Sequence, residues 1–299
     1  MEEYLVVDVT WNDKQTGDYL PGLLLQTNDG KHFFNPITEQ EIFSLKVSKY
    51  RLCIGYEESR GVWRKCPFNN PPVEGSFQCL TCMEKDFFAC RKSCNGIICR
   101  PSSKEAKQLC STMDTTVYVT HVGGRLKVGV SLNPLKRWLD QGSLFGAVVF
   151  KTYGLEARRI ERELAKKLNA KLSVRRSTKV NQLITGFNIE NSKKELERAL
   201  EAVKTYVPNV PHIRENPKIV DLTKYFPNLK KLLPVPKEID MRLNQEFGGK
   251  FMGMIGKIIV FKNNRSYYYI HGNSLIGKKI SFQDKIPKIK GQQSLYDFF

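Results

Sequence analysis

All eight cysteines of this 299-residue chain fall between Cys53 and Cys110. The stretch is broken by prolines and glycines and carries no sustained hydrophobic period, so cross-links rather than a core must order it. Met1-Glu2-Glu3-Tyr4-Leu5 offers neither a basic leader nor a long apolar run. The expectation is an intracellular, cytoplasmic protein without a signal peptide, whose thiols bind metal in a reducing compartment instead of forming disulfides. Cys79-x-x-Cys82 is a knuckle that lets two thiolates reach one tetrahedral ion at about 2.3 Å. Cys66 lies upstream, and Cys90, Cys94, Cys99 and Cys110 lie downstream. These seven are the expected zinc ligands, enough for one ion with spares, or for two if a His or a water completes the second site. Cys53, between Leu52 and Ile54, reads as a small buried hydrophobe. Zinc held by four thiolates has no open position, so its expected role is structural; the alternative is a set of buried free thiols.

The charge balance points to the partner. Lys and Arg number 48 against 30 Asp and Glu, a formal net charge of +18. Neutralising phosphates releases condensed counterions, so a polyanion is the natural ligand and nucleic acid the leading one. The longest apolar runs, such as residues 145–150, fall far short of the ~18 residues that span a bilayer, and no membrane association is expected. With 41% hydrophobic residues the chain can build cores.

Pattern reading gives an α+β, multidomain organisation. Residues 1–60 form a small antiparallel β region, with strands near 4–10, 19–26 and 31–34 around the turn Asn28-Asp29-Gly30. Residues 61–112 are the cysteine-rich, zinc-stapled segment. Residues 113–207 are an α/β domain: strands at 117–122 and 125–130 joined by Gly123-Gly124, a helix at 135–140 capped by Asn133 with Pro134 behind it, a strand at 145–152 and a helix at 156–169. Ser192 and Glu195 have the spacing of a capping box for a further helix. Residues 208–284 are a linker, helical near 229–233, and a second β-rich region; residues 285–299 are a flexible basic tail.

Three motifs in this frame carry resemblances. Thr116-Val117-Tyr118, the Gly-Gly turn, Lys127-Val128-Gly129-Val130-Ser131 and Arg137 resemble the hairpin and first helix of GIY-YIG endonucleases, and residues 156–164 resemble the family helix bearing a metal-binding glutamate, here Glu161. The resemblance implies a catalytic set of Tyr118, Lys127, Arg137 and Glu161, with Glu161 holding Mg²⁺ or Mn²⁺ at the leaving oxygen of a phosphodiester. Lys127 stands where the family has its second tyrosine, and Thr116 where it has glycine. The competing reading is a plain α/β module in which Arg137 and Glu161 form an internal ion pair. The cysteine segment followed by this hairpin and Arg137-Trp138-Leu139-Asp140-Gln141-Gly142 is also similar to the domain of unknown function 2797 family, which implies no activity.

Beside the expected site runs a basic series, Arg158, Arg159, Arg162, Lys166, Lys167, Lys171, Arg175, Arg176 and Lys179. All but Lys179 form the expected DNA-binding set; the bland alternative is a solvated helix face with Glu163 as partner. The C-terminal Gln292-x-x-Leu295-x-x-Phe298-Phe299 resembles a PIP box, which implies that Gln292, Leu295, Phe298 and Phe299 dock on the sliding clamp, proliferating cell nuclear antigen; alternatively the tail covers its own domain. Together these readings lead to a sliding-clamp-associated, nucleoid-associated DNA-processing protein of replication or repair. It is expected to be a metal-dependent GIY-YIG-like DNA endonuclease, or alternatively a non-catalytic DNA-binding adaptor tethered to the clamp; an RNA-directed role fits the basicity equally.

Overall fold

The computed structural model of the protein describes residues 2–13, 18–39, 41–92, 94 and 98–289. The tail motif, Gln292 to Phe299, lies outside the described residues. Four strands open the chain: β1 (Tyr4–Asp13), β2 (Tyr19–Gln26), β3 (His32–Pro36) and β4 (Ile42–Val47). A hairpin of β5 (Tyr56–Ser59) and β6 (Val62–Arg64) follows, then α1 (Leu80–Lys85), a 3₁₀ turn over Ala89–Lys92 and α2 (Lys104–Thr112). The α/β part comprises β7 (Asp114–Val122), β8 (Arg125–Ser131), α3 (Pro134–Gln141), β9 (Ser143–Tyr153), α4 (Gly154–Lys167), α5 (Arg176–Thr185) and α6 (Ile189–Lys204). Short strands β10 (Ile213–Arg214), β11 (Val220–Asp221) and β12 (Lys237–Glu238) lead to β13 (Glu246–Ile255), β14 (Ile258–Asn263), β15 (Ser266–His271) and β16 (Lys279–Phe282).

The protein is α+β and multidomain, with several sheets. Strands from both ends of the sequence share one nine-stranded sheet in the order β12-β15-β14-β13-β4-β16-β1-β2-β3. The join is made where β4 pairs with β13 and β16, and where Tyr4 of β1 stands opposite Ile280 of β16. A second sheet orders β10-β9-β7-β8, with β11 also pairing β9. One continuous apolar cluster links the two sheets; Trp11 of β1 meets the rings of Tyr225 and Phe226 edge-on at 5.8 Å. Among the described residues no helix is long and apolar enough to cross a membrane.

Local signals explain most of the α/β part. The Gly123-Gly124 turn, both residues at positive φ, closes β7 and β8 into a hairpin. Asn133 caps α3 through its Oδ1, which accepts Lys136 N–H at 3.0 Å, and Gly142 ends the helix in the left-handed region. On α4, Ala157, Ile160 and Leu164 are fully buried, as their spacing predicts. Elsewhere the structure differs. Asn188, not Ser192, caps α6, accepting Asn191 N–H at 3.1 Å, while Ser192 is inside the helix and donates back to Asn188 O. The end of the basic series folds into α5, because Val180 and Leu183 reach the core and bring their polar neighbours into helix. Near 229–233 the chain makes only a 3₁₀ turn, Pro227–Leu229.

Candidate functional site: a cysteine cluster and a basic cleft

Cys53, Cys66, Cys79 and Cys82 are all buried, and their thiol sulfurs lie within 4.8 Å of one another, a group that could hold a metal ion. Cys53 precedes β5 and Cys66 follows β6, so the hairpin brings them to the same end despite twelve residues between them. Cys79 is the extended residue that starts α1 and Cys82 lies on its first turn, which sets both thiols on one side. Gly55 makes the approach possible: its φ is +85°, and a Cβ there would lie 2.0 Å from Arg64 O. Cys53 Sγ accepts the backbone N–H groups of Cys79 at 3.2 Å and Gly55 at 3.4 Å. Burial pushes the Cys53 thiol up to about 11 and the Cys82 thiol higher still. Burial also raises Cys66, but backbone donors at Phe68 and Asn70 outweigh it and the group is lowered.

Cys53 is therefore a member of the cluster and not a solitary hydrophobe. Its apolar neighbours hid it, since Leu52 and Ile54 are what a buried strand would show. The available signal was Gly55, which lets a backbone N–H turn toward the sulfur. Cys90, Cys94, Cys99 and Cys110, half-buried, lie outside this group.

The second feature is a cavity of about 550 Å³ between the α/β part and the large sheet. Six cations line it: Lys127 of β8, Arg137 of α3, Arg175, Arg176 and Lys179 at the start of α5, and Lys257 from the turn between β13 and β14. Asp140 is the one carboxylate among the lining residues, and it is spoken for. Its oxygens accept Thr10 Oγ1 at 2.8 Å, Trp11 N–H at 3.0 Å and Lys136 Nζ at 2.6 Å.

Of the expected catalytic set, Lys127 and Arg137 line the cavity, and Tyr118 and Glu161 lie near them without lining it. Tyr118 stands opposite Gly129 on the β7–β8 hairpin and Thr120 opposite Lys127, so Tyr118 and Lys127 share a face. Lys127 is almost fully buried, and its Nζ donates to Leu172 O at 2.6 Å and Val128 O at 3.1 Å. Burial lowers Lys127 to about 8; nearby Glu161 opposes the shift, and Arg137, Lys179 and Arg158 add to it. Lys179 is lowered to about 8 for the same first reason, with Arg137 and Lys257 as the repelling charges. Tyr118 is 1% exposed and raised by burial, and its Oη accepts Gln141 Nε2 at 3.0 Å. It is a neutral phenol under the floor of the cleft. Glu161 is buried and makes its ion pair with Arg158 at 2.9 Å, in place of the Arg137 partner of the plain-module reading.

The expected DNA-binding series is divided by the fold. Arg175 and Arg176 reach the cavity, whereas Arg158 is engaged by Glu161, Arg159 pairs with Glu156 at 3.1 Å, and Lys167 lies over the Tyr206 ring. Arg162 and Lys166 sit farther along α4, half-buried and exposed. Lys171 acts through its backbone, bonding Leu126 O and Val128 N–H so that the segment before α5 runs beside β8. Lys257 was invisible as a site residue: it follows Gly256 in a tight turn 130 residues beyond Lys127, and no local pattern marks it.

No curated protein and no solved structure matches the chain. A family model described as "Protein of unknown function (DUF2797)" matches residues 43–270, which include the cysteine cluster and the six cations of the cleft.

Proposed function

The chain belongs to the DUF2797 family, and we propose that its basic cleft binds the phosphate backbone of DNA. The observation that carries this reading is the convergence of six cations from four separate segments on a cavity whose one lining carboxylate is already neutralised. Burial lowers Lys127 and Lys179, and repulsion from neighbouring cations adds to the shift, while Lys257 is paired with Asp8. A phosphate relieves that repulsion and releases counterions from the nucleic acid.

In this proposal Cys53, Cys66, Cys79 and Cys82 hold a structural zinc ion. The donor set fits: tetrahedral thiolates at about 2.3 Å from zinc are about 3.8 Å apart, and Cys66 Sγ and Cys79 Sγ stand at 3.9 Å. The PIP-like tail tethers the protein to the sliding clamp, which raises the local concentration of the cleft at DNA. The residues fit Mg²⁺ or Mn²⁺ poorly, because Glu161 already holds Arg158 and faces Lys127, so no step is assigned to such an ion. Adaptor-type binding is thus the better-supported function. A second reading, phosphodiester cleavage, is favoured by one observation: Lys127 near 8 can accept a proton from an attacking water while Arg137 compensates phosphoryl charge.

The test is binding of labelled duplex, flap and single-stranded DNA, and of RNA, by the full chain and by Arg137→Ala and Lys257→Ala, with cleavage followed in the same samples. Weaker binding by both variants, with folding retained, is expected. Affinity unchanged by both would remove the cleft as the DNA site, and a preference for RNA would redirect the substrate.

A further inference from the structure

With Cys53 in the first cluster, four of the eight cysteines are left: Cys90, Cys94, Cys99 and Cys110, spaced C-x₃-C-x₄-C-x₁₀-C. A second site therefore needs no His or water to complete it.

These four come from two segments, and among the described residues their thiols do not meet as closely as those of the first group. Cys90 lies in the 3₁₀ turn Ala89–Lys92, and Cys94 N–H donates to Cys90 O at 2.9 Å, one helical turn that directs both side chains to the same side. Cys110 is in the last turn of α2, packed on the start of α4. The approach is close enough that a Cβ on Gly154 would lie 2.9 Å from Cys110 Sγ. Burial raises the Cys110 thiol, and after it come the charges of Cys94, Cys99 and Cys90, so the other three are its electrostatic neighbours. None of the four is in a disulfide. From residue 86 to 103, Phe88 is the one buried large apolar side chain among the described residues, too little to order the segment by packing.

We propose that Cys90, Cys94, Cys99 and Cys110 form a second tetrathiolate centre for a soft divalent ion such as zinc. The four thiols give up their protons on binding, and no electron transfer is involved. The centre ties the segment between α1 and α2 to the first turn of α4. Its net negative charge stands near Arg158, the partner of Glu161.

The experiment is a metal count on the full chain purified without chelator, joined to a cobalt(II) titration of metal-free protein, for the wild type, Cys66→Ser and Cys94→Ser. Two ions per chain with tetrathiolate cobalt absorption, falling to one in either variant, is the expected result. One ion in the wild type, lost in Cys66→Ser and kept in Cys94→Ser, overturns the second centre. One ion lost in Cys94→Ser and kept in Cys66→Ser supports it and removes the first. No ion at all overturns both. Should a variant fail to fold, the wild-type count decides, two ions for the proposal and fewer against it.

Discussion

Cys53 Sγ accepts the backbone N–H of Cys79 at 3.2 Å, joining two residues 26 positions apart at the centre of the cysteine cluster. An N–H donor of this kind favours the thiolate over the thiol, which is the form a metal ion takes. The bond opposes the burial that raises the Cys53 thiol, as a ligand of the proposed zinc would need, and fixes the start of α1 against the β5–β6 hairpin.

Cys53→Ala separates the two roles that the residue could have. A small buried hydrophobe would tolerate the change at a cost of about 1–2 kcal/mol. A ligand would not, because structural zinc couples about 10–16 kcal/mol of binding to folding. The expected outcome is lost metal and a clear fall in melting temperature; full metal content in Cys53→Ala would exclude it as a ligand.

Gly129 is required by Tyr118. A Cβ on Gly129 would lie 2.3 Å from Tyr118 Oη and 2.4 Å from its Cζ. Gly129→Ala is expected to destabilise the protein by about 1–3 kcal/mol through overpacking. Tyr118→Phe keeps the ring but leaves Gln141 Nε2 without its acceptor, a cost of about 1–3 kcal/mol. Because Tyr118 is buried, DNA affinity should not change in Tyr118→Phe, and a large loss of affinity would place the phenol in the binding surface. Denaturant titration and anisotropy measure the two effects.

The lysines predict a pH dependence with a definite sign. Lys127 and Lys179 fall to about 8 in the folded protein from the ordinary 10.5. Between those values the unfolded chain binds more protons, so stability rises with pH through this window, and the cost of burying the charges is fully present below pH 8. Phosphate in the cleft favours the charged amines, so DNA affinity should fall as pH rises past 8. Lys127→Met should flatten both trends; a stability profile identical to that of the wild type would show that Lys127 does not titrate as described.

Salt provides an independent measure of the cleft. Each phosphate contact contributes about −0.9 to the slope of log affinity against log salt. Arg137→Ala and Lys257→Ala should each make the slope shallower by about one unit. An unchanged slope would mean that the side chain touches no phosphate.

Phe298→Ala with Phe299→Ala should abolish clamp binding and leave the affinity of the cleft for short DNA intact. Clamp affinity unaffected by the double change would exclude the tail as the tether. Calorimetry with the purified clamp measures it.

What the sequence by itself determined is local. The Gly123-Gly124 hairpin, the Asn133 cap on α3 and the apolar stripe of α4 follow from turn chemistry, capping and periodicity within a dozen residues. The convergence of Tyr118, Lys127, Arg137 and Glu161 was legible for the same reason, since one hairpin and the helices after it carry all four. Tertiary structure decided the rest. The pairing of Tyr4 with Ile280, the arrival of Lys257 in the cavity that Lys127 lines and the place of Cys53 among the thiols all depend on contacts between distant segments. Those contacts are chosen by burial of the whole chain, and burial responds to which surfaces meet, not to the identity of a residue's neighbours in sequence.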